Sequence, residues 1–238
     1  MPFFSIAAMV LLIAPVSAGE QLDDKIADRF WSSTKVLEQL VNAPDGRIAQ
    51  ELLKDAECVG VIPSVKRAAF GFGGRYGRGV VICRKEEGTG PWGAPSMISI
   101  SGGSFGFQFG GQSTDVLMLF MSPDSMMHLL KDKVTLGGDI SAAAGPKGRA
   151  IAAATSASMR AEILTYARSR GLFAGISLEG AVLRPDNDAN EVLYGGKVDA
   201  KDLLLKGKMA APEPAKRFVE TLTKVTTPEP KASKNQPD

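Results

Sequence analysis

The sequence predicts a single α+β domain, an antiparallel β-sandwich or barrel with flanking helices. Three observations predict it. Residues 21–42 repeat apolar side chains at helical spacing, the chain from Cys58 onward becomes a series of short apolar runs punctuated by glycine, and two helical segments close it beyond residue 200. With 238 residues, 44% of them apolar and 23% charged, there is enough material for a real core. A net charge of +2 and the absence of compositional bias exclude a disordered chain, a collagen-like chain and a strongly cationic nucleic-acid binder.

The first predicted helix carries Leu22, Ile26, Phe30, Val36, Leu37, Leu40 and Val41 on one side, with Lys25, Asp28, Arg29 and Lys35 between them and a break expected near Ser32-Ser33. Pro44-Asp45-Gly46 ends it, and residues 47–57 read as a second, short helix. Residues 65–72 and 79–84 flank Gly73-Gly74-Arg75-Tyr76-Gly77, which predicts a hairpin with a glycine-rich turn. A second pair of strands, 96–101 and 104–111, is expected around Gly102-Gly103, with Phe105, Phe107 and Phe109 alternating against Gly106, Gln108 and Gly110. After the apolar run 115–121, Ser122-Pro123-Asp124 reads as the N-cap and N1 of a helix reaching Lys131. Residues 134–144, 159–168 and 173–183 are expected strands, 149–158 is an Ala-rich helix candidate, and helices are expected at 200–205 and 213–224.

The two ends read differently from this domain. Residues 2–16 are almost wholly apolar, and Val16-Ser17-Ala18 has the small-x-small pattern of a signal-peptidase site, so residues 1–18 are expected to be a signal peptide, with a retained anchor as the alternative. The domain then covers 19–225, and the Pro-, Lys- and Ser-rich residues 226–238 are expected to be a disordered tail. Export predicts a periplasmic or secreted protein peripheral to a membrane. In an oxidising compartment Cys58 and Cys83 would close a loop worth about 3 kcal/mol; otherwise they are two buried thiols.

Little in the chain points to catalysis. His128 is the only histidine, and two Cys with one distant His make no metal-ligand set, so neither a metal nor a cofactor is expected. Gly102-Gly103-Ser104-Phe105-Gly106 fits G-x-S-x-G, but Ser104, Asp115 or Asp124 and His128 crowd into 25 residues, whereas a nucleophile elbow spreads its triad over several strand-helix units. Tyr76 stands where G-x-G-x-x-G needs its third glycine. Charge is more informative. Lys66, Arg67, Arg75, Arg78, Arg84 and Lys85 lie between Gly60 and Lys85 with no acidic residue, and from Gly88 to Leu130 the only charges are Asp115 and Asp124. A basic hairpin beside an uncharged Phe- and Met-rich stretch suits anionic lipid headgroups, since Arg forks grip phosphate and apolar groups enter the acyl boundary. The same residues would also serve as solvated strand faces that keep sheet edges from pairing.

Six blocks then occur in order: Ala56-Glu57-Cys58-Val59-Gly60-Val61-Ile62-Pro63, Gly73-Gly74-Arg75-Tyr76-Gly77-Arg78-Gly79-Val80, Trp92-Gly93-Ala94-Pro95, Gly106-Phe107-Gln108-Phe109-Gly110-Gly111-Gln112, Gly145-Pro146-x-Gly148-Arg149 and the run from Tyr166 to Gly180. Together they resemble the SYLF domain over about residues 23–224. The resemblance implies a non-enzymatic module that binds anionic phospholipid of phosphoinositide or phosphatidic-acid type, in an exported bacterial member. For eukaryotic relatives it also implies binding to actin, which makes an actin- or other protein-binding module the alternative. By position, residues 22–41 would be the lipid-engaging helix, with Lys25, Arg29 and Phe30 upon it, and Lys66, Arg67, Arg75 and Arg78 the headgroup candidates. The expected partner is an anionic phospholipid or membrane surface, or a protein, and not nucleic acid.

Overall fold

The computed structural model describes residues 18–43, 46–70, 72–86, 88–105, 110–129, 131–146, 161–169, 172–205 and 209–227. The expected signal peptide (save Ala18), the Ala-rich segment 149–158 and all but the start of the expected tail lie outside the described residues. In chain order the elements are α1 (Ala18–Asn42), α2 (Arg47–Asp55), β1 (Cys58–Phe70), β2 (Phe72–Cys83), β3 (Ser96–Phe105), β4 (Gly110–Phe120) and α3 (Pro123–Leu129). They continue as β5 (Val134–Thr135), β6 (Ala142–Ala144), β7 (Ile163–Ser169), β8 (Leu172–Gly175), β9 (Val182–Pro185), α4 (Asn187–Tyr194), α5 (Ala200–Leu204), a 3-10 turn (Glu213–Ala215) and α6 (Lys216–Thr226).

The strands form one curled sheet, a half-barrel in the order β5-β9-β3-β2-β1-β4-β7-β6, with β8 also paired to β7. Among these strand pairs only β6–β7 is parallel. The chain must pass from β8 on one side to β9 on the other through residues 176–181. Six strand spacings separate β8 from β9 along the sheet, about 29 Å if it were flat. The seven Cα steps from Gly175 to Val182 reach at most about 25 Å. The sheet therefore curls, and the crossing segment runs over one of its faces. At its far end, a Cβ on Gly102 would stand 3.1 Å from the Ala181 Cα, so glycine lets the segment settle onto β3.

Both faces are covered, which gives two cores. On one, Val59, Val61, Val80, Ile82, Leu117 and Leu119 pack against α1, α2, α4 and α6, where Phe30 meets Phe218 with ring centroids 6.1 Å apart. On the other, Cys58, Ile62, Val81, Ile98, Ile100 and Met118 pack under Leu136, Leu178, Ala181 and Leu203. Cys58 and Cys83 are direct cross-strand partners in this second core and form a disulfide, which decides between the two readings of the cysteines.

The predicted α+β class holds, with several boundaries moved. Helix α1 runs unbroken through Ser32-Ser33, where Ser33 and Thr34 are buried and the Thr34 hydroxyl donates to the Phe30 carbonyl at 2.8 Å, so the local preference of Ser for a break is overridden by packing. The two expected glycine-rich turns are not turns. Phe70 pairs with Phe72, so Gly73, Gly74 and Gly77 are strand residues of β2, and Gly102 and Gly103 likewise lie inside β3. Gly77 and Gly79 accommodate a bulge: β1 advances five residues from Val61 to Lys66 while β2 retreats four from Val80 to Tyr76. Pro63 and the left-handed Ser64 (φ 50°) sit in it, the Ser64 N–H donating to Asp115 Oδ1 at 2.9 Å. A Cβ on Gly79 would stand 2.1 Å from the Val61 carbonyl oxygen, so only glycine fits beside the bulge. The cap at Ser122 is as predicted, with Ser125 N–H donating to its hydroxyl at 3.2 Å. The expected strands 134–144 and 173–183 each divide in two, and residues 106–109, which hold Phe107 and Phe109, lie outside the described residues.

Helix α4 has no counterpart in the sequence reading. It is fixed by the buried Asn190, whose Oδ1 accepts from Met97 N–H at 2.7 Å and whose amide donates to Ser96 Oγ at 3.1 Å. Helix α6 is anchored by Trp92, whose Nε1–H donates to Thr226 Oγ1 at 3.1 Å while the Arg84 guanidinium stacks 4.2 Å from the ring centroid. Two stability outcomes follow from this architecture. Gly79→Ala should cost about 1–3 kcal/mol in urea unfolding through overpacking at the bulge, and the Cys58→Ala/Cys83→Ala double variant about 3 kcal/mol through loss of the loop constraint.

Candidate binding site

Period-2 alternation sorts the basic cluster into two groups. Arg67 lies opposite Arg75 on β2 and opposite Gln112 on β4, so the three share a row on the face crossed by residues 176–181. Lys66 lies opposite Tyr76 and belongs with Arg78 to the helix-covered face. The strand thus separates Lys66 from Arg67, which the sequence had grouped as one patch.

On the crossed face, beside the segment 176–181, is a pocket of about 300 Å³. Its walls are Val65, Val116, Ala167, Ala174, Ile176 and Leu178, and Arg67, Arg75 and Gln112 border it. Ala167 and Ala174 are cross-strand partners, and their short side chains leave room over β7 and β8 on the crossed face. The segment is held there by the Thr165 hydroxyl, which donates to the Ile176 carbonyl. Leu172, also at the pocket, is 60% exposed.

Two guanidiniums directly opposite one another repel, and such pairs are ordinarily relieved by a carboxylate. Among the described residues no ion pair joins an acid to Arg67 or Arg75. Arg75 Nε is buried without a hydrogen-bond partner, and burial, followed by the Arg67 charge, lowers the Arg75 pKa from its ordinary value. An anion seated between the two would supply both the missing charge and the missing acceptors.

Of the remaining candidates, Arg29, Arg78 and Phe30 are engaged elsewhere. Arg29 Nη1 donates to Asp186 Oδ2 at 3.0 Å, and Arg78 Nε stands 3.7 Å from the same oxygen while donating to the Tyr76 hydroxyl. The shared Asp186 ties α1 to β2 and offsets part of the charge of these two cations. Phe30 is 1% exposed and packs in the helix-side core with Ile26, Leu37 and Leu40, so the apolar face of α1 is turned inward. Lys25 is exposed on α1, and Trp31 is exposed with Lys35 Nζ 5.5 Å from its ring centroid. The residues missed from sequence are the pocket walls on β4, β7 and β8. The alternation of small residues in Ala167, Ala174 and Gly175 was the available signal.

Two residues of the G-x-S-x-G reading, Asp115 and His128, have other partners. Asp115 accepts from Ser64 N–H and pairs with Arg168 at 3.1 Å, and His128 Nδ1 contacts Lys131 Nζ at 3.2 Å. Among the described residues no group of three His, Cys, Asp or Glu is placed to hold a metal ion. No helix among them is long and apolar enough to cross a membrane.

Comparison with known proteins places the chain in a wider group. Residues 101–225 match the Ysc84 family, described as Las17-binding protein actin regulator. LAS seventeen-binding protein 3 of Saccharomyces cerevisiae is 34% identical over 213 residues, covering 87% of this chain and 45% of that protein. Protein YSC84 of the same yeast is 36% identical over 183 residues, covering 74% and 38%. The human SH3 domain-containing YSC84-like protein 1 is 33% identical over 186 residues, covering 78% and 53%. The chain thus spans about half the length, or less, of these relatives.

If Arg67 and Arg75 are held for a ligand rather than for the fold, Arg75→Met, which keeps the apolar stem and removes the charge, should stabilise the empty protein by about 0.2–1 kcal/mol. Asp186→Asn, which strips the neutralising charge from partly buried Arg29, should destabilise it by about 1–3 kcal/mol. Urea unfolding of the two variants checks both signs.

Proposed function

The chain belongs to the Ysc84 family, the group of SYLF domains, and from that premise we propose that it is a non-enzymatic module that binds anionic phospholipid, its headgroup phosphate held between Arg67 and Arg75. The observation that carries the reading is this facing pair of arginines at an apolar pocket, without a carboxylate among the described residues to neutralise it. Guanidinium forks suit phosphate oxygens in bidentate geometry, and desolvation by the pocket wall strengthens the contact. The headgroup class is of phosphatidic-acid or phosphoinositide type, with exposed phosphate oxygens within reach of two donors.

Chemistry at this pocket would be limited to binding. Its polar atoms come from Arg67, Arg75, Gln112, Thr114 and Ser177, none of them paired with a histidine or carboxylate base in the pocket lining. The Cys58–Cys83 disulfide fits an exported protein in an oxidising compartment, and the lipid reading would place it peripheral to a membrane there.

A second reading, a protein partner of the actin-regulating machinery, is favoured by the family description, Las17-binding protein actin regulator, and by the name of one yeast relative, LAS seventeen-binding protein 3. Sedimentation separates the two. The protein should be retained by vesicles containing phosphatidic acid and not by phosphatidylcholine vesicles, with retention falling as salt rises from about 0.05 to about 0.5 M, that is, as the Debye length shrinks from about 14 Å to about 4 Å. Arg67→Glu/Arg75→Glu should abolish retention, whereas Arg29→Gln should leave it in place wherever the protein remains folded. Co-sedimentation with actin filaments and none with anionic vesicles would replace the lipid reading by the protein one.

A further inference from the structure

We infer that the pocket beside Arg67 and Arg75 takes one acyl tail as well as the headgroup, so that its minimal ligand is a single-chain anionic amphiphile, one per protein, whose tail leaves the bilayer for the pocket. This inference rests on the headgroup reading above and deepens it. A site for phosphate alone needs donors and a polar wall. Here the cations border walls of Val65, Val116, Ala167, Ala174, Ile176 and Leu178, and one apolar side chain of the mouth, Leu172, is left mostly in water. Charge at one end and hydrocarbon at the other is the complement of an amphiphile.

Size sets the chain count. A methylene group takes up about the same room as a water molecule, about 30 Å³, so a pocket of about 300 Å³ accommodates roughly ten carbons. That is most of one tail. The second tail of a diacyl lipid has no space there and would remain in the bilayer or lie against Leu172. The ordering of the site agrees with this geometry. Arg67, Arg75 and Gln112 occupy one cross-strand row, whereas Val116, Ala167 and Ala174 form another row further along the same face, so a ligand gripped at the first row points its tail along the second.

The test is a chain-length series of n-alkyl phosphates, from butyl to tetradecyl, titrated into the wild-type protein below the micelle concentration and read by calorimetry and native mass spectrometry, with inorganic phosphate as the reference. Binding should be one to one, affinity should rise up to about fourfold per added methylene and level off near ten carbons. Ala174→Phe, checked for an unchanged unfolding midpoint, should lower decyl phosphate affinity at least tenfold. Affinity independent of chain length, equal to that of inorganic phosphate, would overturn the tail inference, as would undiminished decyl phosphate binding by the folded Ala174→Phe protein. If phosphatidic-acid vesicles retain the protein but no alkyl phosphate binds, the tail inference fails and the headgroup reading stands. Loss of vesicle retention as well removes the premise on which both rest.

Discussion

The connection from β8 to β9 is too short for a flat sheet, and the rest of the molecule is arranged around that constraint. Residues 176–181 join strands six places apart in the pairing order, so the sheet must curl and one of its faces must carry the crossing chain. The other face is left to the helices. From this division come the two cores, and between the crossing segment and strands β1, β4, β7 and β8 comes the pocket. The bulge in β1 completes it. By inserting one residue between Val61 and Lys66, it keeps Val65 and Arg67 on the crossed face with Ile62, where an unbulged strand would have turned them to the helices.

The same geometry explains why cations close in sequence have different roles. Arg78 is three residues from Arg75, yet it meets Asp186 and shares it with Arg29, an arrangement that fixes α1 against the sheet. Arg84 lies flat on Trp92 and donates to the Ala56 and Lys54 carbonyls, closing the corner between α2 and β1. These contacts neutralise or stack the charge and contribute to stability. Arg67 and Arg75 have no such acidic neighbour among the described residues and repel one another, which is the pattern of groups held in place at a cost to the empty fold.

The class of fold was legible because period and punctuation carry it: the helical spacing of Ile26, Phe30, Leu37 and Leu40 predicted α1, and Ser122-Pro123 predicted α3. The hairpin turns were not legible. Glycine serves both turns and close strand approach, and only the register reveals that Gly79 faces the Val61 carbonyl rather than solvent. Helix α4 was missed because its fixing residue, Asn190, is polar and its partners Ser96 and Met97 are over 90 positions away. Half of the site was within reach. Alternation alone sets Lys66 and Arg67 on opposite faces, but the claim of Asp186 on Arg29 and Arg78 spans long sequence separations that no local pattern discloses.

The central claim is that two arginines out of the basic cluster, and not the cluster as a whole, hold the anionic group. Nitrogen-15 spectra of the arginine side chains, recorded as short-chain phosphatidic acid is added, test it most directly. The account predicts that the Nε–H resonances of Arg67 and Arg75 shift and saturate together, while those of Arg29 and Arg78 stay with Asp186. Shifts at Arg29 and Arg78, or equal small shifts at every exposed cation, would contradict it.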